Sequence, residues 1–104
     1  MSSLIITIIQ TNLAWEDKEA NLRMLEEKIN NIEERTEIVV LPEMFTTGFT
    51  MQPQLFAEEA EGETFEWMKR MASDKRIVLT GSVIIKEKDN FYNRLIWMLP
   101  NGDY

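Results

Sequence analysis

Ile38-Val39-Val40-Leu41-Pro42-Glu43-Met44-Phe45 places an apolar strand, its stop and one carboxylate within eight residues. β-Branched residues suit a pleated, buried surface, so residues 37–41 read as a strand. Pro42 has no backbone N–H and ends the sheet ladder there. Glu43 therefore emerges at the carboxyl edge of the strand, where open α/β sheets bind their ligands. Met44, Phe45 and Phe49 are expected to surround its carboxylate with apolar atoms. Such desolvation disfavours the charged form and suits a general base. The plainer alternative is an ordinary loop glutamate, since the chain has fourteen of them.

Upstream, Leu4 to Ile9 is a nearly unbroken β-branched run, the pattern of a strand covered on both faces in a parallel sheet. Asp17 reads as the N-cap of a helix over about 18–34, with Leu22, Leu25, Ile29 and Ile32 on one face. Strand, helix and strand imply a right-handed crossover, two parallel strands and helices on the sheet faces. Downstream, residues 43–62 form a long connection, of a length that is usually functional or disordered. Its aromatic and Met residues speak against disorder. A second helix is expected over 63–75, burying Phe65, Met68, Met71 and Ala72; methionines at that spacing read as core rather than as a metal site.

Ile77 to Thr80 reads as a third strand that continues through Ser82 to Ile85, with Gly81 marking a bulge or a close backbone approach. A polar turn over 86–90 returns the chain antiparallel through Phe91 to Leu99. Asn101-Gly102 then signals another hairpin turn, which should lead into a further strand, and the sequence stops at Tyr104 as the chain reverses. The expected class is α/β, a mixed sheet with a parallel β-α-β start and a terminal hairpin.

Composition removes several chemistries. The 104 residues bound the chain to one domain at most. A formal net charge of −7 argues against nucleic acid and anionic membrane surfaces as partners. The basic cluster Lys69, Arg70, Lys75 and Arg76 complements a helix C-terminus rather than binding phosphate. The apolar start is too short for a membrane span and lacks the basic lead of a secretory signal, so a cytoplasmic location is expected. With no histidine and no cysteine, there is no Ser-His-Asp arrangement, no thiolate and no zinc cluster. No acidic spacing matches a calcium loop, so no metal is expected. No glycine-rich phosphate loop is present, and Ser82 lacks the Gly-x-Ser-x-Gly context of a nucleophile elbow.

Leu41-Pro42-Glu43-Met44-Phe45 resembles the nitrilase, or carbon–nitrogen hydrolase, superfamily. The longer run to Thr46-Thr47-Gly48-Phe49-Thr50-Met51 looks most like its bacterial omega-amidase branch. Gln10, Asn21-Leu22, Gly81-Ser82 and Asn93-Arg94 fall in the order that family shows. The family's domain is much longer, so residues 1–104 resemble its N-terminal segment, an incomplete single domain. The resemblance implies a four-layer α-β-β-α sandwich and commonly a homodimer. It also implies a small-molecule amide substrate, no cofactor, and a Glu-Lys-Cys triad. In that triad a cysteine attacks the amide carbonyl, a glutamate serves as base, and a lysine steadies the oxyanion. Only Glu43 matches a triad member. The lysine and cysteine would lie beyond Tyr104, so this chain alone is expected to be inactive. From their place on the loop, Phe45, Thr47 and Met51 are expected to border the substrate pocket.

Two other readings compete. One is a small non-catalytic α/β domain that kept part of an enzyme fold and binds a partner through an unpaired sheet edge. The other is a flavodoxin-like ligand binder, which has only fold-level support.

Overall fold

The computed structural model describes residues 3–104. Three strands, β1 (Ile6–Ile8), β2 (Ile38–Val40) and β4 (Val78–Glu87), run parallel, with Val39 of β2 between Thr7 and Leu79. Helix α1 (Lys18–Asn30) supplies the first crossover, and α3 (Glu63–Lys75) lies within the second. The long connection expected to be irregular also holds a single helical turn, α2 (Pro53–Phe56), and a two-residue strand, β3 (Glu58–Glu59).

Strand β4 organises the sheet. Its first half pairs with β2, residues Ile85 and Lys86 pair in parallel with β3, and β5 (Asn90–Met98) pairs antiparallel along nearly its whole length. The hairpin turn comes down to Lys88-Asp89, with Lys88 at positive φ. Beyond β5 the expected turn is present. Leu99 N–H donates to the Asp103 carbonyl at 2.8 Å, Gly102 N–H donates to the Leu99 carbonyl at 3.0 Å, and Gly102 takes φ +92°.

Asp17 caps α1 as its sequence position demands, accepting from the Ala20 N–H at 3.1 Å. The helix ends at Asn30, short of the predicted residue 34: Asn31 leaves helical geometry at φ −91° and ψ 3°, and the next N–H, from Ile32, donates to the Ile29 carbonyl at 3.2 Å in a tightened last turn. Ile32 still packs against the core from the loop beyond. Helix α3 spans the predicted residues, and its buried face adds Thr64 and Trp67 to the expected set.

Both helices cover the same side of the sheet. Leu22, Leu25 and Ile29 from α1 join Phe65, Met68 and Met71 from α3 in one cluster with alternate strand residues such as Val39, Leu79 and Val83. This corrects two expectations. The helices do not lie on both sheet faces, and β1 is not covered on both: Ile6 is exposed and Ile8 is 64% exposed. On β5 the same face presents Leu95, 69% exposed, and Trp97. The described residues thus form two layers, one of helix and one of sheet, with an apolar sheet face turned outward.

The helical layer is tied by Glu26 of α1. Its Oε1 accepts from the Trp67 indole N–H at 3.0 Å and from Arg70 at 2.9 Å. The Arg70 guanidinium, and then the indole, hold the Glu26 carboxyl below the usual carboxylate range. Arg70 belongs to the basic cluster expected to complement the helix end, but it lies mid-helix and serves an inter-helix contact, and Lys75 is the basic residue in the last turn. Among the described residues no helix is long and apolar enough to cross a membrane.

Candidate active site

The segment after β2 is held by the β4–β5 hairpin. Leu41 N–H still donates to the Thr80 carbonyl at 2.8 Å, continuing the ladder by one residue, and Pro42 then ends it. Met44 adopts φ +49°, a left-handed conformation that costs free energy for a residue with a side chain. Its N–H donates to Ser82 Oγ at 2.8 Å, and the next N–H, from Phe45, donates to the Ser82 carbonyl at 3.2 Å. A single serine thereby fixes two successive amides of the turn. Gly48 N–H closes the turn on the Met44 carbonyl at 2.8 Å, with Gly48 at φ +75°.

Glu43 stands at the carboxyl edge of β2, as its sequence position predicts, on the sheet face opposite the helices. Its Oε1 accepts from Asn93 Nδ2 at 2.8 Å. The carboxylate borders an open cleft of about 310 Å³ whose walls include Leu41, Thr80, Ser82, Asn93 and Leu95. A cleft of about 380 Å³ lies at the other end of the strands, between Glu37 and Arg76. Its rim of exposed charges and its distance from Glu43 mean that size alone does not choose the site.

The expected dry niche is not found. Glu43 is exposed, because the turn at Met44 sends Phe45 under β4 while Phe49 stands out in solvent. Phe45 is fully buried, with its ring 5.9 Å from Trp67 and against Gly81. Thr47 is buried too, its hydroxyl donating to the Gly48 carbonyl at 2.8 Å. Met51 is 88% exposed. None of these three lines the cleft beside Glu43. Phe45 and Thr47 shape the turn from inside, which is a structural contribution rather than a wall of that cleft.

Sequence reasoning did not assign roles to Asn93 and Ser82. One signal was available for Asn93: it belongs to the Asn93-Arg94 pair on which the family resemblance rests, whereas its exposure means that burial did not demand a partner. The first helix also contributes. Asn21, fully buried, donates through Nδ2 to the carbonyls of Ala14 at 2.8 Å and Thr46 at 2.7 Å, and accepts from the Ala14 N–H at 2.7 Å. A second loop joins at Glu16, whose N–H donates to the Thr47 carbonyl at 2.9 Å and whose carboxylate accepts from the Thr50 hydroxyl. Among the described residues no acidic group is arranged to hold a metal ion.

Comparison with known proteins decides the family. The profile described as carbon–nitrogen hydrolase matches residues 5–104. The chain belongs to that family. It is 38% identical over 104 residues to the omega-amidase YafV of Yersinia enterocolitica, covering 98% of this chain and 39% of that protein. It is 34% identical over 102 residues to omega-amidase YafV of Escherichia coli K12, again covering 98% and 39%. The chain thus spans about two fifths of the length of these curated relatives.

Among solved structures, a carbon–nitrogen hydrolase superfamily protein of Xanthomonas campestris, with an arsenic adduct in its active site, superposes with TM-score 0.92 at 30% identity. The match covers 99% of this chain and 39% of that one. Nit3 of Saccharomyces cerevisiae, a branch 10 member of the nitrilase superfamily, gives TM-score 0.86 at 24% identity over 96% of this chain and 41% of its own, a likeness of fold. The resemblance carried by Leu41 to Met51 is therefore a family membership, and the α/β architecture is that of the carbon–nitrogen hydrolases.

Proposed function

We propose that these residues carry the general base of an amide hydrolase, with Glu43 as that base and a small carboxamide as substrate. The preferred class is omega-amidase-like, a 2-oxo acid amide cleaved to acid and ammonia. The observation that carries this reading is the Glu43 carboxylate held by Asn93 at the carboxyl edge of β2, in an open cleft, within a family match across residues 5–104. The names of the curated relatives support the substrate class.

In this reading a cysteine thiol gives its proton to Glu43 and attacks the amide carbonyl. A lysine ammonium stabilises the oxyanion, and Glu43 hands the thiol proton to the amide nitrogen, which departs as ammonia and leaves Glu43 ionised again. Glu43 then activates the water that hydrolyses the thioester. No cofactor enters the reaction. The chain has no cysteine, so in this reading the thiol belongs to residues outside these 104, and the family resemblance puts the catalytic lysine there as well. We place residues 1–104 as the N-terminal segment of one hydrolase domain, cytoplasmic and homodimeric when complete. By itself this chain is inactive in the proposal, because general-base help of about 10²- to 10⁴-fold does not replace a nucleophile.

The test has two arms. The coding sequence read past Tyr104 should supply a lysine soon and a cysteine later, and Glu43→Gln in the complete enzyme should abolish ammonia release from a 2-oxo acid amide. Release from the purified 104-residue chain, lost on Glu43→Gln, would show that the inactivity proposed here is wrong.

The uncovered sheet face favours a second reading, a non-catalytic α/β interaction domain derived from such an enzyme. Exposed Ile8, Leu95 and Trp97 form apolar surface of the kind that marks contact sites. Light scattering together with thermal melting separates the two. Specific association of a cooperatively folded short chain supports the interaction domain, and a monodisperse, non-associating chain removes it.

A further inference from the structure

We infer that Asn93 is a positioning residue that selects which oxygen of Glu43 acts as the base, an inference that rests on the reading of Glu43 given above. A carboxylate has two equivalent oxygens, and a side chain free to rotate presents either. Here Oε1 accepts from Asn93 Nδ2 at 2.8 Å, while Oε2 has no protein partner among the described residues. The engaged oxygen is turned toward β5. Oε2 is left to collect the proton of the incoming thiol, so that one S–H bond breaks as one O–H bond forms at Oε2.

The contact is exposed, and what fixes its geometry is the backbone that carries each end. Asn93 lies opposite Ile84, and the next pair on the same sheet face is Leu95 opposite Ser82. Ser82 binds the N–H groups of Met44 and Phe45, so one hairpin grips both the backbone after Glu43 and the carboxylate itself. The left-handed conformation of Met44 persists because the Ser82 hydroxyl accepts its N–H. The β4–β5 ladder pairs nine residues on each strand, giving the two grips a common rigid base.

The amide is also the right chemistry. An ionised carboxylate only accepts hydrogen bonds, so the NH₂ end of Asn93 must face it. A lysine or arginine there would pair with Glu43 and weaken it as a base, while an aspartate would repel it. A neutral donor orients the carboxylate without cancelling its charge.

The experiment compares Asn93→Leu, Asn93→Asp and Glu43→Gln in the complete enzyme, each checked by thermal melting. Asn93→Leu is expected to lower kcat about 10- to 100-fold, the scale of losing one charge-assisted orienting contact, with KM changed little. Asn93→Asp is expected to lose as much and to move the acid limb of the kcat profile to higher pH, since a second carboxylate disfavours the ionised base. A purely structural role would move the melting temperature and leave that limb in place. In this chain, the Asn93 side-chain amide resonances should follow a pH titration that Glu43→Gln removes. If Glu43→Gln is inactive while Asn93→Leu keeps the parental kcat and pH profile, the inference is overturned and the base assignment stands. If Glu43→Gln keeps turnover, the base assignment fails, and the role of Asn93 with it.

Discussion

The ring of Phe45 lies so close to the backbone of Gly81 that a Cβ at position 81 would stand 2.8 Å from Phe45 Cδ1 and 3.0 Å from Leu41 Cβ. Gly81 sits in the middle of β4, with β2 docked beside it and β5 paired opposite, so the strand has little room to withdraw. The residue that lets the turn after β2 tuck under the sheet is therefore a missing methyl group.

Gly81→Ala is expected to destabilise the chain by about 1–3 kcal/mol through overpacking, read as a lower urea midpoint with unchanged slope. Combining it with Phe45→Leu should recover part of that loss, because the two residues contest one space. Additive losses in the double variant would show that the contact is not the cause.

Ser82→Ala is expected to cost about 1–3 kcal/mol by leaving the buried Met44 N–H without its acceptor. Amide exchange at Met44 should accelerate by more than exchange at Leu41, whose partner is the Thr80 backbone. Equal changes at the two sites would mean that the hydroxyl does not hold the turn.

Asn21→Leu keeps the approximate volume and removes three hydrogen bonds to Ala14 and Thr46. A loss of about 2–3 kcal/mol is expected, dominated by the orphaned Thr46 carbonyl. Asn21→Asp retains an acceptor for the Ala14 N–H but loses both donations, and should remain well below the parent in thermal melting.

The Glu26 carboxyl is held low in the folded chain, first by Arg70 and then by Trp67. A group whose folded pKa is depressed contributes stability above its unfolded value, about 4.3 for glutamate, and that contribution is lost as pH falls through the folded value. The Glu26 side chain is 34% exposed and that of Arg70 52%, so solvent screening limits the gain to about 1 kcal/mol or less. Glu26→Gln should lower stability at pH 7 by about that amount and converge with the parent as pH falls below about 4.3, so that the acid slope of the variant is flatter. An unchanged acid slope in the variant would remove Glu26 as its source.

Legibility followed the strength of local signals. Helix α3 carries a regular apolar stripe between Gly62 and Arg76, and its bounds were readable. The β4–β5 hairpin was readable because two apolar runs flank a polar turn. Strand β1 misled for a physical reason. A β-branched run records a strong strand preference but not whether two layers or one cover it, and here Ile6 and Ile8 face outward. Strand β3 has only two residues, Glu58 and Glu59, and pairs because β4 runs on past β2. Nothing local to those two glutamates announces it.

The site divides in the same way. Glu43 was legible because proline at a strand end leaves the next residue at the sheet rim. The fates of Phe45, Thr47 and Met51 depend on the backbone reversal at Met44, whose positive φ is imposed by Ser82 from 38 residues away. Side-chain type alone does not report which way such a turn points them. Asn93 lies 50 residues from Glu43 in sequence, and only the register of β5 on β4 brings the two together.

That register has a kinetic corollary. The hairpin closes across Lys88-Asp89, whereas Ile6 must find Ile38 and Ile38 must find Val78 before the parallel strands align. Short loops close sooner than long ones, so the hairpin is expected to form early and serve as the template on which both crossovers later dock. The carboxylate of Glu43 would then meet its amide partner among the last events of folding. In a stopped-flow experiment, mutations inside the hairpin should slow refolding, and mutations around Glu43 should chiefly hasten unfolding.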